Sequence, residues 1–288
     1  MKHAKIAGNG VALVTPFHPD MSVDFQSLEK IINHVVSGGV DFIVVLGTTG
    51  ESALLSVQER RDVIAFVKEK VAGRVPLVLG YGGISTRDLV DNFHQYDLTG
   101  FEAILSVTPF YVKPSQQGLI AHYTAIADAS PLPVILYNVP GRTGVNMEAS
   151  TTLALAAHPN IIGVKEASGK LFQIEEILKN RPEDFLLFSG DDALTFHLMN
   201  LGADGVISVM SNAFPAQMSA IVDGAPAASP DALKEHFGLK VLTKAVFADG
   251  NPCGIKYVLS RLGLCGNVLR LPLVPVSEAT ARAIDKEL

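Results

Sequence analysis

Residues 133–164 read PVILYNVPGRTGVNMEASTTLALAAHPNIIGV. Two unbroken aliphatic runs, at 133–137 and 161–164, enclose a segment at 149–157 whose apolar residues have helical spacing. Aliphatic runs bounded by Gly, Pro, Asn or Thr are typical of strands that are buried on both faces of a parallel sheet. The stretch therefore predicts a strand, a helix and a second strand parallel to the first.

Units of the same kind recur along the chain. Helical patterns separate the aliphatic runs, and one of them has a capping box from Ser56 to Glu59 before residues 60–71. Eight alternations predict the α/β class and a (β/α)8 TIM barrel. A doubly wound sheet is the alternative, but eight regular units favour closure. The eight runs are 11–14, 42–46, 76–79, 103–107, 133–137, 161–164, 185–188 and 205–209.

Beyond residue 212 the strand signal ends. Helical patterns follow, and the first of them fits the eighth helix of the barrel. We therefore predict a catalytic barrel over residues 1–224 and a C-terminal helical extension over residues 225–288. The helical patterns lie at 215–222, 230–247, 254–262 and 277–286.

Composition excludes several classes of protein. The chain has 288 residues, of which 48% are hydrophobic and 18% charged, so it is not a disordered chain. Its net charge of −6 argues against nucleic-acid binding. The apolar runs are far shorter than the roughly 18 residues of a membrane span, and the N-terminus lacks the apolar core of a secretory signal. We expect a cytoplasmic protein that does not bind a membrane.

Lys165 is the most unusual residue, because it directly continues the aliphatic run 161–164. Lysine is rarely buried unless it is paired. Burial favours a neutral amine, which can attack a ketone and form a Schiff base. An ion pair with Glu166 or an exposed strand end is the alternative, although adjacent strand residues point to opposite faces. Lys165 alone leaves both interpretations open.

Tyr137 favours the Schiff base. It ends the run before that of Lys165, so its hydroxyl is expected to reach the Lys165 amine. A carbinolamine must lose water and an imine must lose a proton, and a tyrosine hydroxyl can carry both protons. Without Lys165 beside it, Tyr137 would be interpreted as a core residue.

Polar residues after other strands predict carboxylate binding. Thr48 and Thr49, between glycines, offer hydroxyl and backbone N–H groups for a small carboxylate or a proton. Arg142 can clamp a second carboxylate. An ordinary turn and a surface salt bridge are the respective alternatives. The sequence has no complete dinucleotide fingerprint, Walker motif or zinc-spaced His pair, so neither a metal nor a cofactor is predicted.

Together these segments resemble the dihydrodipicolinate synthase family over nearly the whole chain. The resemblance implies a class I aldolase-like lyase that condenses pyruvate with L-aspartate 4-semialdehyde to give 4-hydroxy-tetrahydrodipicolinate, a step of lysine and diaminopimelate biosynthesis. The matching motifs are GTTGES at 47–52, TPFY at 108–111, YNVPGRTG at 137–144, GVKEA at 163–167, SGDD at 189–192 and GVISV at 205–209.

The resemblance implies four catalytic residues. Lys165 would form the imine with pyruvate, and Tyr137 would relay protons. Thr48 and Tyr111 would complete a chain of hydroxyl groups. In this family the residue matching Tyr111 reaches into the neighbouring subunit, which implies a homotetramer, as a dimer of dimers, or a homodimer.

The resemblance also implies the residues that bind substrates. Thr49 and the backbone at Ile207 would hold the pyruvate carboxylate, and Arg142 the carboxylate of the aldehyde. Gly190 would line the substrate site. No cofactor is implied, because the protonated imine is the electron sink.

Two other functions remain open at this point. Another pyruvate-dependent aldolase, of the N-acetylneuraminate lyase or sugar-acid aldolase type, would use the same lysine. Thr48, Thr49 and Arg142 favour the synthase over these. A catalytically silent barrel would be expected to have lost Lys165 or Tyr137, and the chain has both.

One group of residues departs from the family pattern. Members that are inhibited by lysine tend to carry His, His, Asn, Glu and Tyr around a cleft between subunits. The matching residues here are Val57, Arg60, Ile84, Asp88 and Phe110. We predict weak or absent inhibition by lysine, because Val57 and Ile84 cannot hydrogen-bond an ammonium or a carboxylate.

Overall fold

The structure, a computed structural model, describes residues 4–288. Eight parallel strands lie side by side in chain order, and β8 pairs with β1 to close a barrel. The predicted fold class is therefore confirmed. The strands are β1 (Gly8–Ala12), β2 (Phe42–Val45), β3 (Leu77–Gly80), β4 (Phe101–Val107), β5 (Val134–Asn138), β6 (Ile161–Glu166), β7 (Leu186–Ser189) and β8 (Gly205–Ser208).

Helices surround the barrel and continue after it. The predicted capping box begins α2: the Ser56 hydroxyl accepts from the Glu59 N–H, and the Glu59 carboxylate from the Ser56 N–H. The helices are α1 (Phe25–Ser37), α2 (Val57–Val71), α3 (Thr86–Asp91), α4 (Gln116–Ala129), α5 (Pro140–Thr143), α6 (Ala149–Leu155), α7 (Leu171–Asn180), α8 (Thr195–Asn200), α9 (Pro215–Gly224), α10 (Pro230–Val246), α11 (Cys253–Arg261) and α12 (Glu278–Asp285).

Apolar side chains form one layer inside the barrel and another between strands and helices. On β7, Leu186 and Phe188 belong to the inner layer and Leu187 to the outer one. This alternation follows from the two-residue period of a strand. Phe42 meets Phe188 edge to face, with ring centroids 5.6 Å apart. The barrel is thus a packed core beneath the strand ends that carry the candidate site.

The first strand begins earlier than its apolar run, which was predicted at 11–14. Gly8, Asn9 and Gly10 already pair with β8. A Cβ at Gly10 would lie 2.2 Å from the Phe42 ring, so only glycine fits there. The start of β1 was not predicted, because glycine carries no hydrophobic signal.

Helices α10, α11 and α12 form the expected C-terminal extension. Helix α10 packs against α8 and α9 as well as against α11 and α12. Packing therefore continues across residue 224, and the division between 1–224 and 225–288 stays a prediction. Over residues 4–288, no helix has the length and apolar composition needed to cross a membrane.

Candidate active site

Lys165 lies near the end of β6, where a shift of strand register turns its side chain inward. Val134 of β5 pairs with Ile161, but the next residue, Ile135, pairs with Gly163. Strand β6 therefore contains one extra residue, a β-bulge. An extra residue exchanges the inward and outward positions that follow it. The bulge thus decides which face of the sheet Lys165 occupies.

Gly163 makes the bulge possible. A Cβ at this position would lie 2.6 Å from the carbonyl oxygen of Leu186 and 2.9 Å from its Cβ. Beyond the bulge, Val164 packs in the outer layer, and Lys165 pairs in register with Phe188 of the inner layer. Glycine therefore lets β6 approach β7 closely at the point that sets the orientation of Lys165.

The structure brings Lys165 and Tyr137 together. They are register partners on β5 and β6, and their side chains are 5% and 7% exposed. The Nζ atom of Lys165 lies 4.4 Å from the centroid of the Tyr137 ring. The structure thus places the amine against the face of the phenol ring.

Glu166 is not the partner of Lys165. Its buried carboxylate accepts hydrogen bonds from Asn138 Nδ2 at 3.1 Å, the Ser168 N–H at 2.8 Å and Gln173 Nε2 at 2.9 Å. Burial raises the pKa of Glu166, and these donors oppose the shift. The predicted alternation is confirmed: the Glu166 side chain lies on the outer side of the sheet, and the Lys165 side chain points to the interior.

Two other predicted residues lie around Lys165. A Cβ at Gly190 would lie 2.7 Å from the Cβ of Ala167 and 3.1 Å from Lys165 Cε, so only glycine fits beside the lysine side chain. The side chain of Ile207, on β8, is buried in the inner layer. The next residue, Ser208, donates to the buried carboxylate of Asp192, which fixes the end of β8.

A cavity of about 700 Å³ opens over the strand ends. Tyr137, Thr48 and Arg142 line it together with apolar residues such as Leu105 and Val139. Lys165 lies next to this cavity, against the ring of Tyr137, rather than in its lining. The tyrosine, the threonine and the arginine thus face one cavity.

Asn251 connects two of the predicted carboxylate-binding residues. Its side-chain Nδ2 donates to Thr49 Oγ1 at 2.8 Å, and its backbone carbonyl oxygen accepts from Arg142 Nη2 at 3.0 Å. Thr49 is buried, whereas Thr48 is exposed to the cavity. No role was predicted for Asn251 from the sequence. Its position immediately before Pro252 and α11 was the available signal.

Tyr111 does not join the other site residues within one chain. Its side chain is 86% exposed, and its backbone has a φ of 70°, in the left-handed region that few residues other than glycine adopt. The Tyr111 N–H donates to the Thr143 carbonyl at 3.3 Å. The loop is therefore held in a conformation that directs the phenol away from its own barrel.

A family model described as the dihydrodipicolinate synthetase family matches residues 5–288. The chain belongs to this family. It is 48% identical over 290 residues to a 4-hydroxy-tetrahydrodipicolinate synthase from Parabacteroides distasonis, covering 100% of this chain and 98% of that protein. The predicted family is confirmed, and the name of this relative agrees with the predicted lyase and condensation rather than with the aldolase alternatives.

Solved structures of this family have the same fold. The chloride-inhibited dihydrodipicolinate synthase from Acinetobacter baumannii, complexed with pyruvate, is 39% identical with a TM-score of 0.94, over 98% of this chain and 97% of that one. The enzyme from Cyanidioschyzon merolae with lysine bound is 38% identical with a TM-score of 0.93, over 98% and 97% of the two chains.

Proposed function

We propose that this chain condenses pyruvate with L-aspartate 4-semialdehyde through an imine on Lys165. The observation that carries the proposal is the register pairing of Lys165 with Tyr137 inside the barrel. The amine is the nucleophile that forms an imine with a ketone, and a neighbouring hydroxyl supplies the protons that imine formation needs. Family membership and the name of the relatives support the same reaction.

The proposed reaction proceeds through an imine and then an enamine on Lys165. The Lys165 amine attacks the ketone carbon of pyruvate, and the carbinolamine loses water as Tyr137 donates a proton to the leaving hydroxyl. The Tyr137 phenolate takes a methyl proton to give the enamine, whose carbon attacks the aldehyde carbon. The C–C bond forms as the C=O π bond breaks, and the aldehyde oxygen takes a proton from the Tyr137 hydroxyl. The amino group of the second substrate then attacks the imine carbon and displaces Lys165, so that the ring closes to 4-hydroxy-tetrahydrodipicolinate.

The remaining predicted residues bind substrate or carry protons. Thr49 and the backbone at Ile207 hold the carboxylate of pyruvate, and Gly190 lines the substrate site beside Lys165. Arg142 binds the carboxylate of the aldehyde, because it lies at the wall of the cavity that also contains Tyr137. Thr48, exposed in the same cavity, passes protons between Tyr137 and solvent.

The exposure of Tyr111 supports an assembly in which this phenol completes the site of a second subunit. Phe110, Val112, Val57 and Ile84 are exposed apolar side chains as well, and such surfaces commonly mark subunit contacts. We propose a homotetramer, with a homodimer as the alternative; light scattering distinguishes them. We also propose a cytoplasmic location, which fits two cysteines that are free thiols.

Reduction with borohydride in the presence of pyruvate tests the central step. Lys165 is expected to gain a reduced pyruvyl group, located by peptide mass spectrometry, and Lys165→Met to gain none there. An unmodified Lys165 in folded protein would refute the imine. A panel of aldehydes assayed with pyruvate tests the second substrate, and L-aspartate 4-semialdehyde is expected to give the highest kcat/KM.

A further inference from the structure

A buried ion pair lies behind the turn that carries Thr48 and Thr49. The side chains of Glu51 and Lys256 are both fully buried and bonded to each other. Glu51 directly follows the 3-10 turn Thr48–Gly50, whereas Lys256 belongs to α11. Apolar residues often replace buried ion pairs without loss of stability, so stability alone does not account for this pair.

Glu51 fixes the end of the turn. Its φ of 52° is left-handed, a conformation that costs energy for a residue with a side chain. Its N–H donates to the Thr48 carbonyl at 3.1 Å, and its second carboxylate oxygen accepts from the Arg270 N–H at 3.3 Å. Two anchors on one carboxylate therefore hold the backbone that leads back to Thr48 and Thr49.

Lys256 is equally well fixed. Its Nζ donates to the Val268 carbonyl at 3.0 Å and lies 4.1 Å from the centroid of the Phe17 ring. Its backbone N–H donates to the Pro252 carbonyl at 3.0 Å, in the first turn of α11. Burial lowers the pKa of Lys256, and the Glu51 carboxylate opposes the shift, so the ammonium form depends on its partner.

The ion pair joins the two segments that carry the hydrogen bond between Asn251 and Thr49. Glu51 follows the turn that contains Thr49, and Lys256 lies in the helix that begins beside Asn251. Asn251 donates to Thr49 and accepts from Arg142. Displacement of α11 relative to the turn would therefore move the Thr49 hydroxyl, and with it the position assigned to the pyruvate carboxylate.

We propose that Glu51 and Lys256 are positioning residues for pyruvate binding. Glu51 lines the cavity, but its two carboxylate oxygens are bonded to Lys256 and to the Arg270 N–H. The pair holds the turn against α11, so that Thr49 meets the carboxylate when the ketone is within reach of Lys165. The inference rests on the proposed function. Loss of the lock is expected to raise the KM for pyruvate at least about tenfold, while kcat changes by less than about fivefold, because Lys165 and Tyr137 are fixed by the strands.

A double variant tests the proposal. Glu51→Gln with Lys256→Met keeps the approximate volumes and leaves no unpaired buried charge, so the fold is expected to persist. We expect a raised pyruvate KM in protein whose melting temperature stays near that of the parent. Glu51→Gln alone keeps an oxygen that accepts from Lys256 but leaves the buried ammonium without a carboxylate, so we expect a lower melting temperature than in the double variant and a smaller rise in the pyruvate KM. If the double variant does not fold, Glu51→Gln is judged by the same KM criterion.

The matched control removes another ion pair. Arg181 and Asp204 are largely buried and join the end of α7 to the start of β8, at the opposite end of the barrel. Arg181→Met with Asp204→Asn is expected to leave the pyruvate KM unchanged. An unchanged KM in the Glu51 variants, or an equal rise in the control, would overturn the proposal. Failure of borohydride trapping in the parent would instead overturn the proposed function.

Discussion

The two sides of the candidate site are positioned by different kinds of contact. Lys165 and Tyr137 are register partners on adjacent strands, so main-chain hydrogen bonds of the sheet place them. Thr49 and Arg142 lie in a tight turn and in the four-residue helix α5, and Asn251 joins them from the start of α11. The amine is thus fixed by the barrel, and the proposed carboxylate-binding side depends on the C-terminal extension.

This difference predicts that substitutions on the two sides impair different steps of the reaction. A change on the strands should impair imine formation and therefore every later step. A change on the carboxylate side should leave the imine intact and impair the recognition of substrate. Substitutions on each side, assayed for both trapping and turnover, therefore test whether the division is real.

Arg142→Ala is expected to have the largest effect on turnover. Loss of the guanidinium should lower kcat/KM for L-aspartate 4-semialdehyde by about 10²-fold, since each hydrogen bond of a bidentate guanidinium–carboxylate pair contributes roughly 1.5–3 kcal/mol. Borohydride trapping of pyruvate on Lys165 should remain. Steady-state kinetics and mass spectrometry measure the two quantities. Equal loss of both would contradict the role of Arg142 and the separation of the two sides.

Gly163→Ala attacks the strand side. The new Cβ would lie 2.6 Å from the Leu186 carbonyl oxygen, so β6 must move and Lys165 with it. A displacement of about 1 Å can lower a rate about 10²-fold, and we expect that loss in the rate of imine trapping. Gly238→Ala is the control, because its Cβ would meet nothing within 4 Å. Trapping at the parent rate in folded Gly163→Ala would show that the bulge does not set the orientation of Lys165.

The strand side was also the more predictable from sequence. All eight strands lie at or next to their aliphatic runs, because a strand buried on both faces is a continuous local signal. The proximity of Tyr137 and Lys165 followed from their places at the ends of successive runs. The bulge at Gly163 was not predicted, since it arises from pairing with β5 and β7 rather than from local composition.

The carboxylate side needed information that the sequence does not display locally. Asn251 reaches Thr49 across 202 positions and Arg142 across 109. Lys256, in an otherwise amphipathic helix, would ordinarily be interpreted as exposed, because lysine is seldom buried. Its partner Glu51 lies in the GTTGES motif at 47–52, but no role was predicted for it. Such contacts become visible only when the extension has packed against the barrel.

The attachment of the extension should respond to acid through Glu59. The guanidinium of Arg270 hydrogen-bonds this carboxylate and lowers its pKa to about 2 from an ordinary 4.5. A carboxylate whose pKa is lower in the folded state than in the unfolded state stabilises the fold at pH values above the unfolded-state pKa. This stabilisation is lost as the pH falls from about 4.5 towards 2. Allowing for partial exposure, we expect the free energy of unfolding of the parent to exceed that of Glu59→Gln by about 1–2 kcal/mol at neutral pH.

Urea unfolding at a series of pH values measures this difference. The two stability curves should converge as the pH falls, because the parent carboxylate becomes neutral as well. Glu278→Gln is the control: its pair with Arg282 is highly exposed and should contribute little at any pH. A gap between parent and Glu59→Gln that stays constant down to the acid limit would contradict the assignment to ionisation.

The smallest expected effect is that of lysine, although the Cyanidioschyzon merolae relative was solved with lysine bound. Val57 and Ile84 are apolar and 42% and 41% exposed, and Arg60 already donates to the Leu55 carbonyl and to the Tyr96 hydroxyl. We therefore expect no measurable inhibition of the condensation at micromolar lysine. Val57→His with Ile84→Asn supplies the missing polar groups and should introduce sensitivity. Micromolar inhibition of the parent in a steady-state assay would mean that backbone groups and Arg60 suffice, and that apolar side chains do not close this cleft to lysine.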